Sequence, residues 1–283
     1  MKTLLLALVS LFAIGGPGDD TRNWRSLAAS RPRGTADSLN VRLRYDAGTL
    51  TLGAAAAPLL YDAKARFDAN EQRLSRSYNA VSHTLRIGLD SSTVQTSARH
   101  SNHEATEGRL DLALAAGMPL DLDLDLGTTR AVLDLSALWV DAVRVSSGAT
   151  ETDLTFGTAN PKPMRELMVD AGVGSTTIHA LGNARAQRAT IASTVGAVDL
   201  DLAGTWSGDM PLTLRVALGT ATLRIPRDAG VSLTLAHRIA NVDSDGFTER
   251  NGIMYSAGYE QMKRHIQIDG SATLANVDIV WKD

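Results

Sequence analysis

The sequence predicts an all-β fold, a right-handed β-helix or solenoid with coils of about 22 residues. Three observations predict it: strict alternation of apolar and polar residues, glycines recurring at a near-constant interval, and a composition built from aliphatic residues. Apolar residues make up 44% of the 283 and charged residues 21%, while aromatics reach only 5%. A core of Leu, Val, Ile and Ala suits a narrow, layered interior.

The alternation is clearest at Leu120–Gly127. Leucine stands at 120, 122, 124 and 126, and aspartate at 121, 123 and 125. One face of a strand is then wholly apolar and the other acidic. A helix would scatter the aspartates around its circumference. The same event recurs at Gly127, Gly148, Gly172, Gly196 and Gly219, which lie 21, 24, 24 and 23 residues apart. Each glycine ends one alternating strand and precedes another: Val132–Leu135, Thr152–Phe156, Thr177–Leu181, Val198–Leu202 and Ala221–Ile225. One coil cannot bury both its strands alone, so coils must stack and share an interior. A sandwich or barrel also spaces its strands regularly, but has no need for turn glycines at constant phase.

The ends differ from this rhythm. Lys2 followed by the apolar run Thr3–Ile14 reads as a signal peptide over residues 1–15, cleaved after Gly15. The run is shorter than the ~20 residues that span a bilayer. Residues 16–38, rich in Gly, Pro, Ser and Arg, read as a flexible tether. Lys64–Leu74 is the best helical candidate, with weak periodicity. Asn241–Met262 is a polar, turn-rich run suited to a hairpin or loop. Alternation resumes at His265 as the last coil, its end blunted by Lys282 and Asp283 against edge pairing. Without cysteine, an exported chain must be stable without disulfides. Loss of Lys2 with the signal leaves 27 basic against 31 acidic residues, net −4. That balance argues against nucleic acid and gives no electrostatic reason for an anionic membrane partner. Arg22, Arg25, Arg31 and Arg33 of the tether supply only weak lipid contact.

Glu166–Trp206 carries Gly172, Leu181-Gly182-Asn183, Gly196 and Gly204-Thr205-Trp206. Together with Asn160-Pro161 and Ile225-Pro226 before Gly230-Val231, this pattern resembles the LiaF-like, cell-wall-active-antibiotic-response proteins. Ala47–Leu52, with Leu59-Leu60 and Tyr78, is similar to the associated toast-rack N-terminal segment. The resemblance divides the chain into toast-rack-like coils over 39–110 and a LiaF-like solenoid over 111–283. It implies a right-handed β-helix outside the cytoplasmic membrane, with a role in envelope stress and assembly with partners.

No residue constellation points to chemistry, and no catalytic, cofactor or metal site is assigned. His100-Ser101-Asn102-His103-Glu104 has ligand-type side chains, but its neighbours describe a solvated loop. Asp121, Asp123 and Asp125 with Asp134, Asp153, Asp199 and Asp201 would make a carboxylate ladder, except that Arg130, Arg144, Arg215 and Arg224 fall among them. His83, His179, His237 and His265 lack the nucleophile and orienting partner of a triad. Trp139, Trp206, Tyr255 and Tyr259 read as core or end caps. The expectation is a non-enzymatic envelope scaffold that binds an envelope or membrane-associated protein, or itself. Its alternatives are a carbohydrate-active β-helix enzyme using exposed Asp pairs such as Asp123 and Asp199, and an adhesin-like surface module.

Overall fold

The computed structural model describes residues 22–91, 108–237, 241–242 and 245–282. The sequence segments read as signal peptide (1–15) and histidine-containing loop (His100–Glu104) lie outside these residues. Among those described there is no α-helix, and the strands join into one open sheet. They are β1 (Trp24–Pro32), β2 (Leu39–Ala55), β3 (Leu59–Asp68), β4 (Gln72–Asn79), β5 (Thr84–Ser91), β6 (Arg109–Ala115), β7 (Pro119–Asp134) and β8 (Trp139–Thr155). Then follow β9 (Glu166–His179), β10 (Ala189–Asp201), β11 (Met210–Pro226), β12 (Gly230–His237), β13 (Asn241–Val242), β14 (Phe247–Arg250), β15 (Ile253–Ser256) and β16 (His265–Lys282).

The body of the molecule is a parallel stack in the order β2, β7, β8, β9, β10, β11, β16. Val143 pairs with Leu167, Leu167 with Ala189, and Ala189 with Leu212, register offsets of 24, 22 and 23 residues. Each long strand changes parity midway. In β7 the even residues Leu120 to Leu126 are buried, and beyond Gly127 the odd residues Thr129, Ala131 and Leu133 take over. β2, β9, β10 and β11 do the same. The sheet therefore folds along a corner, and both arms of every strand bury into a single aliphatic cluster.

Glycine marks that corner, though not in one column. Gly127, Gly148 and Gly172 share one register, while Gly174, Gly196 and Gly219 share another two residues further on. The expected constant phase is thus two columns, and the change occurs inside β9, which carries both Gly172 and Gly174. In the second column φ is +131°, +139° and +135°, and a Cβ on Gly196 or Gly219 would strike the carbonyl of the glycine one coil away. Only glycine permits the strands to turn that closely.

The connections between coils form a third side of the core. Backbone hydrogen bonds run from coil to coil there, among them Asn160 N–H to Asn183 O (2.7 Å) and Gly182 N–H to Ala203 O (2.9 Å). Asn160 is buried, and its amide binds both the N–H (3.0 Å) and the carbonyl (2.6 Å) of Val140. Asn183 repeats the device, donating to Phe156 O and accepting from Thr205 N–H, each at 2.9 Å. Trp206 donates to Leu202 O at 3.1 Å and packs on Gly182. The Leu-Gly-Asn and Gly-Thr-Trp motifs are hence structural clasps between successive coils.

Sequence order and stack order part company at both ends. The outermost coil at the N-terminal end is split, with β5 beside the first arm of β2 and β6 beside the second. At the other end the first arm of β16 lies between β11 and β12, while its second arm pairs with β11 and, at Asn276 and Val277, with β13; Lys282 at its end binds Asp201 across β11. Hairpin β14–β15, in the run expected to be a hairpin or loop, covers β12. Trp24–Pro32, expected within a flexible tether, is strand β1 paired along its length with β3. Lys64–Leu74 spans the end of β3 and the start of β4 and is not helical. The two departures differ in kind: β1 buries too little to carry an alternating signal, whereas β3 alternates cleanly, with Tyr61, Ala63, Ala65 and Phe67 buried, and Lys64–Leu74 straddles the turn that follows it. In β1 only Ala29 is buried.

Candidate interaction surfaces

The outer face of the first arm carries charge in rungs. Arg86, Arg42, Asp123 and Arg144 follow one another across β5, β2, β7 and β8. The aspartates are interleaved with arginines here as the sequence suggested. Arg165 binds Asp121 at 2.9 Å and Asp141 at 2.6 Å, and Arg224 binds Asp199 at 2.7 Å. Asp123 lies on the first arm and Asp199 on the second, with the body's coils between them, so they form no carboxylate pair. Among the described residues no three His, Asp or Glu side chains group as metal ligands would.

Asp201 is the carboxylate whose titration is most affected. Burial raises its pKa, but hydrogen bonds from the Lys282 ammonium (2.8 Å) and the Ala203 N–H (3.0 Å), with the Lys282 charge, outweigh this and hold it below the ordinary carboxylate value. The histidines are dispersed. His83 lies 3.3 Å from Asp37, and His179 3.4 Å from Asp153. His265 stacks on Tyr259 and sits 3.4 Å from Asp209. Tyr255 meets Tyr259 edge to face, and Trp206 is buried, so these aromatics pack the stack and its end and build no exposed platform.

Two surfaces stand out. At the corner, Val173, Val195, Leu218 and Leu274 occupy one register across four coils. Val173, Leu218 and Leu274 are 53%, 46% and 51% exposed. Thr194, Ala197, Ala217, Thr220 and Thr273 border them, so this ridge is apolar and uncharged. Alternation alone conceals it, because the parity change at the corner turns outward residues that continue the buried parity of the first arm.

The second surface is the N-terminal end. Residues 22–91 hold eleven Lys and Arg against six Asp and Glu, net +5, whereas residues 108–283 hold fifteen against twenty-one, net −6. A whole-chain charge averages these away; a charge count by segment reveals them. Arg31 lies over the Tyr78 ring at 4.3 Å, Arg66 over Trp24 at 4.2 Å, and Arg76 donates to the Tyr61 hydroxyl at 3.1 Å. A shallow cleft of about 290 Å³ is lined by three arginines, Arg42, Arg44 and Arg86, and three aspartates, Asp90, Asp123 and Asp125.

With this geometry in hand, the family can be assigned. The profile of the N-terminal domain of toast_rack, DUF2154, matches residues 19–179. The chain belongs to that toast-rack family. The match covers β1 and the coils through β9. No curated protein matches the chain. Among solved structures, a chain provisionally named a cell adhesion protein from Clostridium sporogenes is 16% identical, with a TM-score of 0.46 over 98% of this chain and 100% of its own. A chain provisionally named an adhesin from Bacteroides fragilis is 9% identical, with a TM-score of 0.39 over 89% and 97%. One provisionally named a lipid binding protein from Parabacteroides distasonis is 9% identical, at 0.34 over 90% and 97%. No described helix of this toast-rack protein is long and apolar enough to cross a membrane.

Proposed function

We propose that this toast-rack protein is a non-enzymatic, adhesin-like scaffold exported to the periplasm or cell surface, a right-handed solenoid of coils of about 22 residues. The corner ridge carries the reading. Four aliphatic residues in register, in an uncharged setting, give a strip roughly 14 Å long at ~4.8 Å per strand. Single exposed apolar residues are ordinary on a protein surface, but a continuous apolar strip marks an interaction site. The partner is an envelope protein or a second copy of the chain. The described carboxylates and histidines, engaged with neighbouring cations or spread over different arms, support the non-enzymatic assignment.

The test is charge insertion on the ridge. Leu218→Glu combined with Leu274→Glu adds two solvent-facing carboxylates without touching the core. The expected result is an unchanged melting temperature with loss of self-association or of capture by envelope extracts. Retention of both interactions by the folded variant would exclude the ridge as the binding face. Turnover of an envelope polysaccharide that disappears in Asp123→Asn or Asp199→Asn would replace the scaffold reading with an enzymatic one.

A further inference from the structure

We infer that the corner ridge is the contact of a homodimer in which a second copy of the chain lies antiparallel, about a two-fold axis at Val173. This deepens the scaffold reading and rests on it, naming the partner at the ridge. The ridge belongs to a longer row. Hydrogen-bond register places Ala47, Thr128, Ala149, Val173, Val195, Leu218 and Leu274 side by side across β2, β7, β8, β9, β10, β11 and β16. At ~4.8 Å per strand the row is roughly 29 Å long. Side-chain size rises along it, from alanine and threonine at one end to leucine at the other, with Val173 at the middle place.

That gradient is complementary to its own reversal. Turned end for end about Val173, a second copy sets Leu274 against Ala47, Leu218 against Thr128 and Val195 against Ala149, so each large side chain meets a small one. Parallel pairing would set leucine on leucine at one end and alanine on alanine at the other. The copies would then be held apart at the first end and leave a void at the second, and a void forfeits dispersion contacts on both its walls. From β7 to β16 the sequence neighbours of every row residue are Gly, Ala or Thr. Nothing bulky stands beside the row to prevent close approach.

Charge along the flank agrees with the same orientation. Three residues before the row, the outer face of the first arm carries Arg44, Asp125, Ser146, Asp170, Ala192, Arg215 and Ser271 in one register. The two-fold reversal brings Arg215 toward the partner's Asp125, and Asp125 toward the partner's Arg215. Among the described residues Arg215 has no carboxylate of its own chain within ion-pair distance. Asp170 falls opposite its own copy, so the flank sets two pairs of opposite charge against one of like charge. The area decides how firm the pairing is. Two convex ridges meeting over ~29 Å bury less than the roughly 1,200 Å² of a stable interface, so the dimer dissociates on dilution.

Sedimentation and thiol cross-linking of the full chain test this, because it has no cysteine of its own. The cross-linker is a bismaleimide reaching about 10 Å, the spacing of packed sheets. Val173→Cys is expected to link to its own copy. Thr128→Cys mixed with Leu218→Cys is expected to give a mixed dimer. Leu218→Cys alone is not expected to link, its two copies lying four coils, about 19 Å, apart along the row. Leu274→Glu should raise the dissociation constant about tenfold or more, and because this is a difference from wild type, any association through the N-terminal run cancels. Linking of Leu218→Cys to itself without a mixed product would mean parallel pairing and overturn the inference. A chain that stays monomeric at every accessible concentration overturns it too. If that monomer still captures an envelope protein and loses it in Leu218→Glu with Leu274→Glu, the ridge remains a binding face and only self-pairing falls; if the double variant changes nothing, both readings fall.

Discussion

The coiled body from β7 to β11 and the end formed by β1 to β6 solve the same problem by different means. In the body every strand has a parallel neighbour on each side, its corner is set by backbone touching backbone, and Arg144, Arg165 and Arg224 bind carboxylates on neighbouring coils. At the N-terminal end the order is broken. β3 and β4 run antiparallel to β6 and β5, side chains make the closing contacts, and among the described residues Arg42 and Arg86 meet no carboxylate within ion-pair distance. A repeat can propagate by copying its own geometry, but it cannot end that way, because the last coil would expose both a core and a row of unpaired backbone groups. The end is therefore where the sequence is least repetitive and where surface chemistry is free to diverge.

The sharpest test of this contrast is glycine. Gly196→Ala places a methyl against the backbone of Gly174 at a φ of +139°. A destabilisation of about 3–5 kcal/mol is expected, read as loss of soluble protein or a fall of many degrees in melting temperature. Gly88→Ala at the N-terminal end meets chiefly the Ser75 hydroxyl, which can rotate away, and should cost about 1 kcal/mol or less. Similar costs at the two sites would remove the distinction between a backbone-limited body and a side-chain-limited end. Asn160→Ala comes next. It strands the buried N–H and carbonyl of Val140, for an expected loss of about 3 kcal/mol by chemical denaturation. If the loss is near zero, the clasp is not what joins these coils.

The body was the legible part. The alternation of leucine and aspartate in β7 defines its inward face, and the recurrence of glycine reflects a real corner. What spacing could not show is that Gly172 and Gly174 hand the corner from one column to the next, because only hydrogen-bond register separates them. The N-terminal end was illegible for a physical reason. A strand such as β1, with one small buried residue, carries no period-2 signal, and its arginines look the same in a tether as in an edge strand. The insertion of β16 between β11 and β12 is invisible to any local reading, since each segment alternates correctly whatever its neighbour. The apolar ridge was hidden by the parity change, and the basic end by summing charge over the whole chain.

A smaller effect separates the two regions by pH. Asp201 is held ionised by Lys282 and the Ala203 N–H, so its folded pKa lies below that of the unfolded chain. The resulting stability is complete above the unfolded value, near 4, and is lost as pH falls through the folded one. Because Lys282 is substantially exposed, screening limits the contribution to about 1 kcal/mol. The wild type should lose this amount relative to Asp201→Asn on acidification from pH 5 to pH 3 in equilibrium denaturation. An identical acid profile for the two proteins would show that the pair adds nothing to the stack.

The smallest expected effect differs in sign between the regions. Arg224→Gln removes a two-pronged pair with Asp199, and should cost about 0.5 kcal/mol at low salt. Arg86→Gln removes a cation that faces Arg42 across the ladder, with no carboxylate bound to it among the described residues. Like charges directly opposite in a sheet oppose pairing, so this substitution should raise stability by about 0.2–0.5 kcal/mol. Both effects should shrink as salt is raised toward ~1 M, where the Debye length falls to about 3 Å. Urea melts at low and high salt measure both. A loss of stability on replacing Arg86 would mean that its charge serves the fold.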